Sequence, residues 1–285
     1  ITLPDNSSRE LPEGSSGYDL AKDIGPGLAK SAVAVTIDGV QKDLHDEIMT
    51  DSSVSIITID SDEGLEIMRH TLTAQVLARA IKNLYPRSKL AIGPIIEDGF
   101  YYDVESEEVI SSDDLNKIEE EMKKIIKSKS SITKKLVSKS EAMKVFKSNK
   151  EPYKEIIINE SDQDDNFQLY YQEDEKFVDL CRGPHLPNLG FIGTFKLTKV
   201  SGAYWKGDSN NSMLTRIYGT AFNSEKDLQQ HLDNLEEALK RDHRKLGKEM
   251  DLFHFQDEAP GMVFWHPYGW NIYKTLQSFI RNKLD

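Results

Sequence analysis

The chain has 285 residues, of which 38% are apolar and 29% charged, with a formal net charge of −12. This length supports two or three domains with their own cores, and the composition is that of a globular protein. The single cysteine excludes an internal disulfide framework and fits a reducing compartment. No apolar run reaches the roughly 20 residues of a membrane span, and the acidic balance argues against a protein that coats nucleic acid non-specifically. The start, Ile1-Thr2-Leu3-Pro4-Asp5, lacks a basic region followed by an apolar one, so a cytoplasmic protein with no membrane partner is expected.

In chain order, residues 1–3 read as a strand turned at Pro4-Asp5-Asn6. Residues 18–24 read as a helix stopped by Gly25-Pro26-Gly27. Residues 32–37 form an alternating, β-branched strand that turns at Asp38-Gly39, and 54–59 form another. The expectation is a small mixed sheet crossed by a helix, with neither a nucleophile nor a metal set.

Asp62 and Glu63 then open a helix that Pro86 ends, with Leu65, Met68, Leu72, Val76, Ala80 and Leu84 as its buried stripe. Residues 90–96 read as a strand with a Gly93-Pro94 break, and 100–104 return as its aromatic hairpin partner. Residues 112–130 and 140–148 read as helices. The lysine-rich stretch 123–154 reads as a solvated helical face or, alternatively, a surface that meets phosphates. Residues 152–222 read as strands and loops, among them 168–172, 177–180, 195–200 and 214–218. A leucine-striped helix over 224–246 joins them to a last segment whose residues 270–284 are helical.

Chemistry concentrates at Val178-Asp179-Leu180-Cys181-Arg182-Gly183-Pro184-His185. A thiol and an imidazole four residues apart are compatible with a metal half-site, a nucleophile pair, or plain packing. Zinc wants further ligands. The helix over 63–85 offers one histidine, His70; Ala74 is four residues on, and Gln75, five on, lies roughly 140° round a regular helix. Cysteine protease chemistry requires a positioned base and an oxyanion hole, and no local signature of it is present. A water-activating site is a further reading, with His70 or His185 as base and Asp179 and Lys154 orienting groups or stabilising charge. Against all of these stands a buried, inert Cys181 beside a satisfied loop histidine.

Several long motifs narrow the choice. Asp179 to His185, Ala91-Ile92-Gly93-Pro94 with Gly99-Phe100-Tyr101-Tyr102-Asp103, and Gly202-Ala203-Tyr204-Trp205-Lys206-Gly207-Asp208-Ser209-Asn210-Asn211 resemble the N-terminal part of bacterial threonyl-tRNA synthetases. So do Arg216-Ile217-Tyr218-Gly219-Thr220-Ala221, Arg241-Asp242-His243-Arg244-Lys245-Leu246-Gly247 and Ala259-Pro260-Gly261-Met262-Val263-Phe264-Trp265-His266. The resemblance implies an α+β chain: a β-grasp TGS domain over 1–61, an editing (second additional) domain over 62–223, a linker helix over 224–246, and the start of a class II aminoacylation domain over 247–285. It implies that zinc, ATP and magnesium serve the catalytic domain of the intact enzyme and not this chain, which is expected to need no cofactor and not to aminoacylate alone. The implied partner is the acceptor end of threonine tRNA, and homodimerisation is expected for the intact enzyme only.

Editing has a physical basis: serine and threonine differ by one methyl, worth about 1–3 kcal/mol in a pocket, so a synthetic site cannot fully reject serine and a second, hydrolytic site is needed. In the family that site pairs a His-x-x-x-His helix motif with Cys-x-x-x-His, a lysine and an aspartate. The resemblance assigns His70, Lys154, Asp179, Cys181 and His185 to catalysis, and Thr71, Gln75, Gly93, Pro94 and Tyr102 to the substrate, with no metal ligands. The helix departs from the pattern. One extra residue follows His70, and Gln75 stands where the second histidine belongs. One insertion turns a regular helix by about 100°. Either a π-bulge absorbs it and keeps His70 in the site, or Thr71 replaces His70 there. Weakened editing is therefore expected. A freestanding trans-editing hydrolase and a non-catalytic tRNA-binding module are the alternatives.

Overall fold

The computed structural model describes residues 1–172 and 175–284; Glu173, Asp174 and Asp285, the last residue of the expected class II segment, lie outside the described residues. One compact unit spans Ile1–Leu228 and a second Gln229–Asp285.

The first unit begins with helix α1 (Gly17–Ile24), capped by the Ser16–Asp19 capping box, and helix α2 (Pro26–Ser31). The expected stop at Gly25-Pro26-Gly27 is thus a break between two helices, because proline at the first helical position is pre-set for helix. Strands β1 (Ala32–Ile37), β2 (Val40–Asp43) and β3 (Val54–Thr58) pair antiparallel in the order β2-β1-β3. The expected mixed character shrinks to one parallel bridge, Thr2 to Ser53, and residues 1–3 contribute bridges in place of a strand. Leu20, Val35 and Val54 are packed in the small core.

Ser61 caps helix α3 (Asp62–Thr71), accepting a hydrogen bond from the Gly64 amide. The helix continues as a π segment over Leu72–Leu77 and returns to α as α4 (Ala78–Leu84). There follow β4 (Lys89–Leu90), β5 (Ile95–Ile96), β6 (Gly99–Glu105), α5 (Leu115–Lys127), β7 (Ile132–Val137), α6 (Lys139–Ser148), α7 (Pro152–Glu160), β8 (Phe167–Gln172), β9 (Phe177–Leu180), β10 (Thr194–Tyr204) and β11 (Met213–Phe222). Two of these correct the sequence expectations. Residues 132–137 form a strand, not part of a helical face: their lysines hide a β-branched alternation that pairs with β8. Residues 152–160 form a helix, with Pro152 at its first turn, where strands and loops were expected.

The larger sheet runs β10-β11-β6-β4, with β5 also paired to β6, all antiparallel. Met68, Leu72 and Val76 of the long helix pack with Phe100, Tyr102 and Ile217 of this sheet in the main core. A smaller antiparallel sheet, β7-β8-β9, packs Leu169 against Phe146 and Ile158 of α6 and α7.

Helix α8 (Glu225–Lys240) leads into the second unit, which holds α9 (His243–Glu249), the β12 (Phe253–His254) and β13 (Phe264–Trp265) pair, and α10 (Pro267–Leu284). The single helix expected over 224–246 is two helices, because the Asp242 side chain accepts from the Arg244 amide and caps a fresh start. Among the described residues no helix is long and apolar enough to cross a membrane.

Candidate active site

Helices α3, α7 and the end of β9 bring the chemistry together. Ser61 and the acidic first turn fix the entry of α3, and the buried face of Met68 and Leu72 sets its rotation against the sheet. With that rotation set, the helix widens into a π segment over Leu72–Leu77, where the extra residue was expected, and both flanking α portions stay packed in the core. His70 keeps its place: its Nε2 lies 2.7 Å from Cys181 Sγ, and its ring stacks on His185 at 4.6 Å between centroids, 10° from parallel. Thr71 reaches His185 from the buried side and does not replace His70 at the cavity.

Thr71 also sets the tautomer of His185. Its hydroxyl donates to the Ile67 carbonyl at 2.8 Å, so Oγ1 is left to accept from the Leu186 amide at 3.0 Å and from His185 Nδ1 at 3.1 Å. The ring proton of His185 therefore sits on Nδ1, and Nε2 carries the lone pair. That Nε2 is buried without a hydrogen-bond partner. Burial holds His185 well below the usual imidazole range, with His70 adding to the effect. Burial also pushes His70 down to about 4 and the Cys181 thiol up to about 12. The His70–Cys181 contact is therefore between a neutral ring and a neutral thiol.

Lys154, on the first turn of α7, forms an ion pair of 2.6 Å with Asp179 of β9; the two side chains are 4% and 2% exposed. Asp179 accepts the Leu180 amide at 2.8 Å and faces the Tyr102 hydroxyl at 3.4 Å. Burial pushes the Asp179 carboxyl up, and the Lys154 ammonium works against that. Lys154 Nζ also lies 5.8 Å from the centre of the Tyr102 ring.

These groups border an open cavity of about 960 Å³. His70, Lys154, Asp179, Cys181, Gly93 and Pro94 line it, and Ala74, Ile92, Ile157 and Arg182 contribute further wall. His185, Thr71, Gln75 and Tyr102 do not line it. Thr71, Gln75 and Tyr102 are fully buried behind its wall. Gly93 is held flush against Tyr102, since a Cβ there would lie 2.3 Å from Tyr102 Cδ2. Gln75 turns to β8 instead: Gln172 Nε2 donates to its carbonyl at 2.7 Å and to its Oε1 at 2.8 Å. The residue four positions after His70, Ala74, takes the place on the cavity wall.

His70, Cys181 and His185 place one ligand atom each within 4.8 Å of one another, the one such cluster among the described residues. The donor set, two imidazoles and a thiol, suits a zinc-like ion with an open fourth position. The sequence pattern missed two other participants. Asp43, from β2, accepts the His185 amide at 2.8 Å, and Tyr170 packs its ring edge-on to His185 at 4.4 Å. No spacing rule connects a hairpin residue to a loop 142 positions away.

The TGS domain family matches residues 1–58, and the family described as "Threonyl and Alanyl tRNA synthetase second additional domain" matches residues 168–218, which include β9 and the Cys181–His185 loop. The chain is 52% identical over 281 residues to the threonine–tRNA ligase of Saccharophagus degradans, covering 99% of this chain and 44% of that protein. It is 49% identical over 285 residues to that of Prochlorococcus marinus and 51% over 284 residues to that of Legionella pneumophila, again with 44% of each relative covered. The chain thus spans less than half the length of the curated relatives it matches. With this identity along its whole length and both domains in order, the chain belongs to the threonine–tRNA ligase family, whose N-terminal TGS and second additional domains it carries.

Proposed function

We propose that the cavity hydrolyses serine wrongly esterified to threonine tRNA. The observation that carries this reading is the convergence of His70, Cys181, Lys154 and Asp179 on one open cavity large enough for an aminoacyl-adenosine end. Water attacks the ester carbonyl carbon, a C–O bond forms, and the bond from that carbon to the ribose oxygen breaks. His70, the ring that borders the cavity, is neutral at pH 7 and accepts the water proton, which passes to the departing ribose hydroxyl. The Lys154 ammonium stabilises the negative charge that grows on the carbonyl oxygen. Cys181, a neutral thiol, orients His70 and makes no covalent bond to the substrate. Gly93 and Pro94 bound the space for the terminal adenosine and serine, while Tyr102, Thr71 and Gln75 act from behind the wall. His70, Cys181 and His185 would be the residues to hold a divalent ion, which would supply Lewis-acid chemistry in place of the free His70 base.

In the intact enzyme this activity accompanies the ATP-dependent attachment of threonine to its tRNA, with the ATP, magnesium and zinc sites in the catalytic domain. The boundaries 62–223 for the editing part and 224–246 for the linker belong to the same proposal. The test is deacylation of seryl-tRNA specific for threonine. The expected result is hydrolysis that falls at least about 100-fold in His70→Ala, the usual range for a positioned base. Full hydrolysis by His70→Ala overturns the assignment. Binding of the tRNA with no hydrolysis by the unaltered chain favours the non-catalytic module instead.

A further inference from the structure

We propose that Asp43 of the TGS domain is a positioning residue of the hydrolytic site, so that the first domain completes a site whose reacting groups all lie in the second. The inference rests on the hydrolytic reading above. Its structural basis is the way the His185 backbone is held. The loop after β9 has no strand partner at His185, and its amide donates across the domain boundary to Asp43 Oδ1 at 2.8 Å. The other carboxylate oxygen accepts from the Tyr170 hydroxyl at 2.7 Å and from Lys134 Nζ at 2.8 Å.

Tyr170 is the second part of the clamp. Its ring packs nearly perpendicular to that of His185, 4.4 Å between centroids and 81° between planes, on a ring that also stacks on His70 and bonds the Thr71 hydroxyl. Gly183 brings the loop down onto Tyr170. It has φ +64, and a Cβ there would lie 2.0 Å from the Tyr170 hydroxyl oxygen. Asp43 thus fixes both the backbone of His185 and the ring that buttresses its imidazole. Thr71 fixes the imidazole's proton from the opposite side. The His70–His185 stack, and with it the direction of the His70 ring toward the cavity, depends on both clamps.

A domain-docking role alone would serve the fold and not the chemistry, and the two are separable. Lys134 pairs with Asp43 and also with Asp46, so Lys134→Met removes docking charge while leaving the Asp43–His185 amide contact intact. The experiment measures seryl-tRNA deacylation and hydrogen exchange at the His185 amide in Asp43→Ala, Asp43→Asn and Lys134→Met, each shown folded by circular dichroism at the assay temperature. Expected for Asp43→Ala is a loss of about 10- to 100-fold in kcat with KM little changed, the size of a roughly 1 Å misplacement, together with loss of His185 amide protection. Asp43→Asn keeps an acceptor oxygen for the same amide and recovers most of kcat. Lys134→Met keeps both kcat and amide protection. The proposal is overturned by unchanged kcat and amide protection in Asp43→Ala, or by a loss in Lys134→Met equal to that in Asp43→Ala. If the unaltered chain does not hydrolyse seryl-tRNA, the hydrolytic reading fails on its own. The His185 amide still decides the positioning claim: lost protection in Asp43→Ala supports it and retained protection overturns it.

Discussion

His70 Nε2 lies 2.7 Å from Cys181 Sγ, although the two residues are 111 positions apart and the helix that carries His70 is interrupted by a π segment immediately afterwards. A cysteine this close to an imidazole invites comparison with thiolate–imidazolium nucleophiles. The surroundings oppose it. A thiolate–imidazolium pair needs the thiol lowered and the ring raised, and burial drives both the other way, the thiol up to about 12 and the ring down to about 4.

The chain has one cysteine, so alkylation reports this thiol alone. At pH 8 a thiol with a pKa near 12 is ionised to roughly one part in 10⁴, against about a quarter for a free cysteine. Iodoacetamide is expected to modify Cys181 on the order of 10³-fold more slowly than it modifies glutathione, read by mass spectrometry over time. Cys181→Ser is expected to keep seryl-tRNA hydrolysis within about tenfold. Rapid alkylation, or hydrolysis abolished by the serine, would instead mark a nucleophilic thiolate.

The same burial makes stability depend on pH. His70 and His185 both bind a proton less readily in the folded chain than in the unfolded one. Between the unfolded value near 6.5 and the folded values, the unfolded state holds more protons, so stability falls as pH drops through that window. For His70, with a folded value of about 4, the loss between pH 7.5 and pH 5 is roughly 2 kcal/mol. Urea unfolding in EDTA at the two pH values measures it, and His70→Gln is expected to flatten the slope by about that amount. An unchanged slope in the variant means the ring titrates as a solvated histidine.

Much of this site was legible before the fold, and the reason is local. Asp179, Cys181 and His185 sit within one strand end and its loop, so their proximity is written in short spacing. Lys154 was legible as a charge-stabilising candidate but not as part of a helix, because residues 152–222 read as strands and loops. The helix of His70 shows where periodicity fails: a rule built on 3.6 residues per turn cannot say whether an insertion rotates the downstream half or bulges in place. Core packing on both sides of the insertion, by Met68 and Leu72 before it and by Ala80 and Ile81 after it, favours the bulge. Asp43 was illegible for a different reason. Its partner is a backbone amide in another domain, and backbone partners leave no mark in the identity of the residue that supplies them.

Lys154 and Asp179 offer the sharpest separation of folding from chemistry. Both side chains are almost fully buried and paired at 2.6 Å, so removing one charge strands the other. Lys154→Met alone is expected to cost about 3–5 kcal/mol, because an unpaired, almost fully buried carboxylate remains beside Tyr102. Replacing both, as Lys154→Met with Asp179→Leu, removes the stranded charge and is expected to restore most of the loss, since an apolar pair of similar volume often matches a buried ion pair. Hydrolysis should not return with stability, because the ammonium that steadies the carbonyl oxygen is still missing. Urea unfolding and seryl-tRNA deacylation on the two variants and the unaltered chain decide the matter. A double variant that regains both stability and hydrolysis would make the pair a structural brace and move the electrophilic role elsewhere in the cavity.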